Sequence, residues 1–476
     1  MRPCLPLLLH MHQPDYIDPV SGEPVMPWVR KHALRGYTDV PTLALEAGVR
    51  FTCNVVPSLV DQLQRYAEGG TDRWEQIAAT PAESLGSAEV AFMRSRFVHG
   101  HPAMRRVSPR FRALEAQIAT LSHPQDLRDL AVWSHLAWIG VVGRRSPFVQ
   151  SLLRQDAHFA HAQLTDLLAF CRELVAGVLP LWRRMGADIS FTPYTHPILP
   201  LLINTEHARR AMPHLPDDLH FAYPDDAERH IVEGRSRIEA AFGVRPSGMW
   251  PSEGSVSPEV AALAGRLGLR WMATDEGVLQ RSQRDAPAST ASAWEVEQTG
   301  LTMIFRDREL SDRIGFVYAS WQGKAAAADL LERASVQPIT PIILDGENPW
   351  ESYRDAGEDF LTHLFASGAV CSVEAALPQM PRQRITHLHS GSWINANFAI
   401  WAGDAADRAA WRKLLAVRKV YEAAGRPAAA WPHLRAAEGS DWFWWFGPEH
   451  RSEMHDLFEG LFEAHLQATL AACRRG

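Results

Sequence analysis

Two acidic residues in this sequence each follow a short apolar run and lie close to tryptophan, proline and small residues. Glu253 ends segment 248–253 (GMWPSE), and Asp345 ends segment 342–345 (IILD). Cleavage of a glycosidic bond needs such a pair, because one carboxylate attacks the sugar carbon while a carboxylic acid protonates the leaving oxygen. The pair therefore predicts an enzyme that acts on a sugar polymer.

Each acidic residue also has a purely structural interpretation. Glu253 precedes a predicted helix, where the helix dipole or a salt bridge would favour a glutamate. Asp345 precedes Gly346, and Asp-Gly pairs are common in turns. Glu347, two residues further on, is an alternative for the role of the acid.

A group of polar residues follows the first predicted strand. His10 and His12 are two positions apart, so on a strand they point to the same side, as metal ligands or donors to sugar hydroxyls would. Gln13 comes directly after them, and His196 follows a later strand-like run. We expect these four side chains to bind the sugar that is cleaved.

An enzyme of another class would use the same histidines differently. In a zinc hydrolase, either a deacetylase or an α-mannosidase-like enzyme, His10, His12 and Asp345 would be the metal ligands. The H-x-H spacing recurs in segment 387–393 (HLHSGSW), which makes His389 a further candidate for substrate binding.

Tryptophan is abundant, with 17 residues in a chain of 476. Aromatic faces pack against the C–H faces of sugar rings, although large cores also use tryptophan. Trp250, Trp350 and Trp393 lie within or next to the polar motifs and are candidate platforms for sugar rings, and Glu347 is a candidate polar contact. Segment 441–446 (DWFWWF) predicts either a wall of a sugar groove or an apolar clamp for the C-terminal helices.

Strand-like runs alternate with helical periodicity along most of the chain, which predicts a parallel α/β barrel. Predicted strands cover 5–9, 50–56, 188–191, 270–273, 301–306 and 340–344, and predicted helices cover 42–46, 225–242, 259–267, 324–334, 406–424 and 452–473. Residues 72–185 are interpreted as a helical insertion between two barrel strands. In such barrels the catalytic side chains lie at the C-terminal ends of the strands, where the acidic and histidine motifs fall.

Composition excludes several classes of protein. The net charge is −7 and no long basic run occurs, which argues against a nucleic-acid partner. No apolar stretch approaches the ~20 residues of a membrane span, and the N-terminal apolar run is too short for a signal peptide. The five cysteines are scattered and form no C-x-x-C pair, so neither a disulfide framework nor a cysteine zinc site is expected. We expect a cytoplasmic protein without a membrane partner.

Five motifs together resemble the signature regions of glycoside hydrolase family 57. In the family's order, they are residues 10–14, 192–199, 248–255, 343–351 and 389–401. The resemblance implies that Glu253 is the nucleophile and Asp345 the general acid/base of a retaining mechanism without a metal or another cofactor. It also implies a (β/α)7 barrel with a C-terminal helical bundle and α-glucan substrates. The Asp-Gly-Glu-Asn form of the fourth region is most similar to the amylopullulanase-like branch.

We therefore expect a catalytic (β/α)7-type barrel over residues 1–405, including the insertion at about 72–185, and a helical region at 406–476 packed on it. The expected function is retaining hydrolysis of α-glucans such as maltodextrin, glycogen, starch or pullulan, at α-1,4 bonds with α-1,6 bonds left open. A 4-α-glucanotransferase or branching activity would use the same site, and a non-catalytic glucan-binding regulator is a further alternative. The sequence predicts no particular oligomeric state.

Overall fold

A computed structural model describes residues 3–100, 102–105, 107–283, 288–450 and 454–475 of the chain. These residues form an α/β fold with one ten-stranded sheet and many helices. The strands are β1 (Leu5–Met11), β2 (Thr52–Val55), β3 (Ile189–Phe191), β4 (Gly248–Met249), β5 (Trp271–Asp275), β6 (Ala293–Val296), β7 (Thr302–Arg306), β8 (Ile342–Asp345), β9 (Val370–Cys371) and β10 (Arg382–Ile385).

Seven of the strands run parallel, in the order β7-β5-β4-β3-β2-β1-β8. The sheet curls, and its two ends approach each other where the N–H of Asp307 donates to the carbonyl of Pro341 at 2.9 Å. β6 runs antiparallel to β7, β10 pairs with β6, and β9 pairs with the first residues of β1. All seven residues of β1 are buried, as expected for a parallel strand that is covered on both faces.

Helices connect the strands and make up most of the described chain beyond them. Between β1 and β3 they are Trp28–Ala33, Gly36–Glu46, Pro57–Ala67, Arg73–Ala79, Ser87–Arg96, Pro102–Arg105, Pro109–Ala116, Pro124–Leu136, Val141–Arg144, Pro147–Gln155 and His161–Arg183. Between β3 and β8 they are Leu199–Ile203, Glu206–Ala211, Pro224–Phe242, Pro258–Arg266, Glu276–Ser282, Arg308–Asp312 and Gly323–Ala334. After β8 they are Glu358–Ala366, Val373–Ala376, Ala399–Ala402, Ala405–Ala423, Trp431–Ala437, Asp441–Phe446 and His455–Arg475.

The predicted elements correspond to observed ones with shifts of a few residues. The helix predicted at 259–267 is Pro258–Arg266, and the Ser257 side chain caps it by accepting from the N–H of Val260. The helix predicted at 42–46 is the end of a longer one, Gly36–Glu46. The start of the helix predicted at 452–473 lies outside the described residues, and the observed helix is His455–Arg475.

Four strands were not predicted, and one of them, β4, has only two residues. β9 has two residues, β10 has the polar sequence RQRI with three exposed side chains, and β6 is short and pairs with both β7 and β10. Short or polar edge strands carry little hydrophobic signal, because they need not bury a continuous apolar face.

The C-terminal helices bury much of the aromatic segment 441–446. Trp442 is 1% exposed and Phe443 is 0% exposed, and Phe443 stacks on Trp411 at 4.7 Å between ring centroids. The N–H of Ser440 donates to the carbonyl of His196 at 2.8 Å, which joins the C-terminal region to the loop after β3. Among the described residues, no helix has the length and apolar character needed to cross a bilayer.

Candidate active site

A cavity of about 340 Å³ lies at the C-terminal ends of the central strands. β1 leads into it through His10, β7 ends in it at Arg306, and β8 ends in it at Asp345. Glu253 and Asp441 reach it from a turn after β4 and from the C-terminal helices. Residues far apart in sequence therefore meet at one edge of the sheet, as predicted for polar groups that follow parallel strands.

The strand register determines which polar side chains are neighbours. His10 of β1 lies directly between Asn54 of β2 and Asp345 of β8. His10 Nδ1 is 2.7 Å from Asn54 Oδ1, and this oxygen also accepts from the Thr192 hydroxyl at 2.9 Å. Asn54 Oδ1 can only accept, so the His10 proton lies on Nδ1 and the Nε2 lone pair faces the cavity.

Three histidines form a compact cluster in the cavity. His10 Nε2 is 3.1 Å from His196 Nε2, and the rings of His12 and His196 stack at 3.9 Å between centroids. One ring nitrogen from each histidine lies within 4.8 Å of the others. The ring nitrogens of His10, His12 and His196 therefore form one group that is suited to bind sugar hydroxyls or a metal ion.

The outer nitrogens of this cluster are held by the C-terminal region. His12 Nε2 is 2.8 Å from Asp441 Oδ1, and His196 Nδ1 is 2.9 Å from the Ser440 hydroxyl. Burial opposes a charge on His12, but the carboxylates of Asp441, Glu253 and Asp345 outweigh it and raise the pKa of His12. Burial, together with neighbouring charge on His12, lowers the pKa of His10 to about 3 and that of His196 well below its ordinary value. One positive charge in the cluster is therefore favoured at His12.

Glu253 lies in a tight turn that aims its carboxylate into the cavity. Its backbone has φ of +57°, which is uncommon for a residue with a side chain and costs conformational energy. Two contacts with Trp393 hold it: the Trp393 N–H donates to the Glu253 carbonyl at 3.0 Å, and the indole Nε1–H donates to Glu253 Oε2 at 2.8 Å. Glu253 Oε1 lies 3.9 Å from His196 Nδ1. These contacts suit a positioned carboxylate better than a helix-start residue on the surface.

Asp345 ends β8 and is exposed to the cavity. Desolvation by the surrounding protein, together with the charge of Glu347, raises the pKa of Asp345 to about 6. The turn interpretation of Asp345 also applies, because its carbonyl accepts from the N–H of Asn348 at 3.1 Å.

The two carboxyl groups influence each other's protonation. Burial, with smaller contributions from the charges of Asp345 and Asp441, raises the pKa of Glu253 to about 8 although the Trp393 hydrogen bond acts in the opposite direction. Between about pH 6 and 8 the pair therefore carries one proton, which is the state that an acid and a nucleophile require together.

Glu347 is occupied by structural contacts. Its Oε1 accepts from Gln13 Nε2 at 3.1 Å, from His32 Nδ1 at 3.1 Å and from the Tyr37 hydroxyl at 3.2 Å. Burial would raise the pKa of Glu347, but the His32 and Gln13 contacts outweigh it and lower the pKa. Glu347 is held as a carboxylate, which disfavours it as the rival acid.

The tryptophan candidates divide into two groups. Trp250 and Trp393 line the cavity. Trp350 is not among the described residues that line the cavity: it is 1% exposed and packs on Gly36, where an added Cβ would lie 2.0 Å from Trp350 Nε1. His389 is also absent from the described residues that line the cavity, and its Nε2 lies 2.9 Å from the carbonyl of Ala396. Both residues stabilise loops instead.

Sequence reasoning missed several residues of the cavity. Arg306 contacts the carbonyl of Ile343 at 2.7 Å and lies 5.4 Å from the Trp393 ring. Asp441 was considered only as the start of an aromatic segment. Within that segment Trp444 and Trp445 line the cavity while Trp442 is core, so both interpretations of the segment apply to different residues.

The chain matches the model of a known protein family. The family model of glycosyl hydrolase family 57 matches residues 6–377. This chain belongs to glycosyl hydrolase family 57. The match ends before the fifth predicted motif and before Asp441, so the C-terminal wall of the cavity lies outside the matched segment. No curated protein sequence matches the chain.

Several solved structures share the fold at low sequence identity. The branching enzyme of Pyrococcus horikoshii is 13% identical with a TM-score of 0.60, over 99% of this chain and 88% of that one. An α-amylase of Thermotoga maritima is 12% identical with a TM-score of 0.58, over 99% of this chain and 93% of that one. A 4-α-glucanotransferase of Thermococcus litoralis is 12% identical with a TM-score of 0.54, over 98% of this chain and 59% of that one.

Proposed function

We propose that this family 57 protein is a retaining glycosidase that acts on α-glucans, with Glu253 as nucleophile and Asp345 as general acid/base. The observation that carries the proposal is the presence of both carboxyl groups, each with a raised pKa, in one cavity beside the histidine cluster. α-Amylase, branching enzyme and 4-α-glucanotransferase among the similar structures support the α-glucan class.

In the proposed first step, a Glu253 oxygen attacks the anomeric carbon while Asp345 gives its proton to the leaving glycosidic oxygen. In the second step, Asp345 takes a proton from water, and the water replaces Glu253 at the sugar carbon. In the site without substrate, the higher pKa of Glu253 places the single proton of the pair on Glu253. The proposed first step needs the other arrangement, in which Asp345 carries this proton and Glu253 is ionised.

The surrounding residues would position the sugar. We assign His10, His12 and His196 to its hydroxyls, because their ring nitrogens converge in the cavity. Gln13 and Glu347 also line the cavity, and Gln13 donates to Glu347, so we assign both of these to orientation of the site. Trp250, Trp444 and Trp445 line the cavity and supply apolar surface for sugar rings.

The finer assignments follow the family resemblance. We interpret the seven parallel strands as the (β/α)7 barrel, with residues 406–476 as a helical region packed on it. The Asp-Gly-Glu-Asn motif favours an amylopullulanase-like hydrolase. A transferase would use the same covalent intermediate, with a sugar hydroxyl replacing water in the second step.

The proposal is tested with purified full-length protein on maltoheptaose and pullulan, with products separated by chain length. Shorter products alone indicate hydrolysis, whereas longer or branched products indicate transfer. Glu253→Gln and Asp345→Asn should each lower kcat/KM by about a thousand-fold or more. The exposed Glu297→Gln is the matched control and should retain activity.

An activated substrate separates the two roles. α-Maltosyl fluoride has a leaving group that needs no protonation, so Asp345→Asn should recover much of its first-step rate on it while Glu253→Gln should not. Equal loss by both variants on this substrate would contradict the assignment of Asp345. Absence of any glucan cleavage by the unmodified protein would leave a glucan-binding regulator.

The histidine cluster supports a second candidate, a zinc-dependent hydrolase. Each outer nitrogen has an oxygen partner, in Asn54, Asp441 or Ser440, which is the arrangement that orients metal-ligating histidines. The ligands would be His10, His12 and His196, whereas the predicted ligand Asp345 is not in the cluster. One bound zinc per chain and loss of activity on chelation would favour this candidate over the glycosidase.

A further inference from the structure

Cys4 and Cys371 meet at the end of the sheet that is remote from the catalytic cavity. Their sulfurs are 2.8 Å apart although the residues are 367 positions apart in the chain. Cys4 immediately precedes β1, and Cys371 ends β9, which pairs with the first residues of β1. The sequence indicated no disulfide, because the cysteines are scattered; the strand pairing brings these two together.

We propose that Cys4 and Cys371 form a thiol–disulfide exchange site that reacts with small soluble disulfides such as oxidised glutathione. The product is a reversible Cys4–Cys371 disulfide that links β1 to β9. The sulfurs already lie side by side, so the bond of about 2.05 Å requires only a small movement of the two side chains.

Access to the pair differs from access to the other cysteines. Cys371 lines a surface cavity of about 430 Å³, next to Val370 and Ser372, and both Cys4 and Cys371 are half-buried. The remaining three cysteines are buried in the fold: Cys53, Cys171 and Cys473. A small reagent can therefore approach Cys371 from this cavity and Cys4 from the solvent-exposed part of its side chain, whereas the other three thiols are buried.

The contact between the sulfurs also favours reaction. The hydrogen bond from the Cys371 thiol lowers the pKa of Cys4, and partial burial opposes this effect only in part. The same contact, together with burial, raises the pKa of Cys371. Because thiolate is the form that attacks a disulfide, Cys4 is the first nucleophile and Cys371 the resolving thiol.

The reaction is a two-electron exchange. The Cys4 thiolate attacks one sulfur of the small disulfide, its S–S bond breaks, and one small thiolate leaves. The Cys371 thiolate then attacks the Cys4 sulfur of the mixed disulfide and displaces the second small thiolate. The two cysteine protons end on the two released thiols, the protein dithiol is oxidised, and the external disulfide is reduced.

The expected consequence is stability rather than catalysis. The bond would join positions 367 residues apart, which restricts the unfolded chain strongly. It lies at the start of β1, whereas His10 lies near the end of that strand, so the catalytic cavity should be unaffected. We expect oxidation to raise Tm by roughly 2–5 °C and to leave glucan cleavage unchanged.

The test uses the folded full-length protein, equilibrated in glutathione buffers of increasing oxidised fraction and then alkylated in denaturant. Alkylatable thiols should fall from five to three, and mass spectrometry should find one cross-linked peptide pair that contains Cys4 and Cys371. Dithiothreitol should restore all five thiols and the lower Tm. The Cys473→Ser control should lose two thiols in the same buffers.

Cys371→Ser tests the resolving step, since it should stop at a stable glutathione adduct on Cys4. Five alkylatable thiols in the unmodified protein in every buffer would overturn the proposal, as would first modification at a buried cysteine or a persistent glutathione adduct without the cross-link. Because these readouts do not depend on sugar cleavage, failure of this proposal and failure of the glycosidase proposal are distinguishable.

Discussion

At the scale of single residues, one indole controls the charge of Glu253. The Trp393 Nε1–H donates to Glu253 Oε2, and this contact opposes the burial that raises the pKa of Glu253 to about 8. Asp345 titrates at about 6 in the same cavity. The protonation of the pair therefore depends on burial, on neighbouring carboxylates and on one hydrogen bond, none of which local sequence specifies.

The first prediction concerns pH. Below about pH 6 both carboxyl groups are protonated and no nucleophile remains, and above about pH 8 both are ionised and no acid remains. We expect a bell-shaped dependence of kcat/KM with a maximum near neutral pH, measured on maltoheptaose. A rate that is still rising above pH 9 would contradict it.

Trp393→Phe refines this prediction. The variant keeps an aromatic ring but removes the donor, so the pKa of Glu253 should rise and the alkaline limb should move to higher pH. Trp393→Ala should also raise KM, because it removes the ring. An unchanged pH profile in Trp393→Phe, with only a lower Tm, would assign Trp393 to the core.

At the scale of elements, the short helix Asp441–Phe446 contributes both a charge and aromatic surface to the cavity. Asp441 contacts His12 at 2.8 Å and lies 3.7 Å from His196, while Trp444 and Trp445 face the cavity. This helix comes almost a hundred residues after β8, so its role depends on how the C-terminal helices pack.

Asp441→Asn should weaken the electrostatic interactions of the histidine cluster and keep its geometry. The amide oxygen can still accept from His12, but the negative charge that helps raise the pKa of His12 is lost. We expect the His12 pKa to fall in an NMR titration and kcat/KM to fall roughly ten-fold or more. The exposed Asp456→Asn in helix His455–Arg475 is the control, and equal behaviour of the two variants would contradict a positioning role for Asp441.

Helix Trp28–Ala33 buries a lysine at a cost to stability. Lys31 is 1% exposed, its Nζ has no hydrogen-bond partner among the described residues, and it lies 5.9 Å and 5.3 Å from the rings of Trp28 and Trp138. Burial and the neighbouring Arg30 charge lower the pKa of Lys31 to about 7.

Lys31→Met should therefore stabilise the fold. The pKa of Lys31 is lower in the folded state than in the unfolded chain. The free-energy cost of burying its ammonium group is therefore fully present below about pH 7 and disappears as the pH rises towards the unfolded value of 10.5. We expect Tm to rise by roughly 2–4 °C at pH 7, and by less at pH 9.5. The same substitution at exposed Lys324 is the control, and a lower Tm in Lys31→Met at pH 7 would show that the ammonium group stabilises the helix.

At the scale of the whole molecule, the cavity is closed by opposite ends of the chain. His12, near the start, binds Asp441, and Tyr16 lies 6.4 Å from Phe458 in the last helix. A chain that ends near Ala405 would lose Asp441, Trp445 and also Trp444, which packs against the retained Trp401.

We expect this truncated chain to be insoluble or inactive, because it exposes a large apolar surface and lacks one wall of the cavity. The measurement is soluble yield, far-UV circular dichroism and cleavage of maltoheptaose, with the full-length chain as control. A soluble truncated protein with full activity on long glucans would make the C-terminal region an independent appendage.

The sequence alone was sufficient for the parallel α/β fold and for most of the candidate polar residues. Buried parallel strands are almost wholly apolar, so His10, Glu253 and Asp345, which occur where such runs stop, were recognisable from local pattern. The helix at Pro258–Arg266 was predictable for the same reason, since its cap and its first residue are local signals.

Only the tertiary structure decided which of several similar residues belong to the site. Trp350 and Trp393 both lie beside polar motifs, yet Trp350 packs on Gly36 and Trp393 reaches Glu253. Asp441 and the Cys4–Cys371 pair depend on contacts between segments that are hundreds of residues apart. Such contacts follow from the packing of the whole chain, which determines burial, direction and neighbouring charge for each side chain, and no local pattern encodes them.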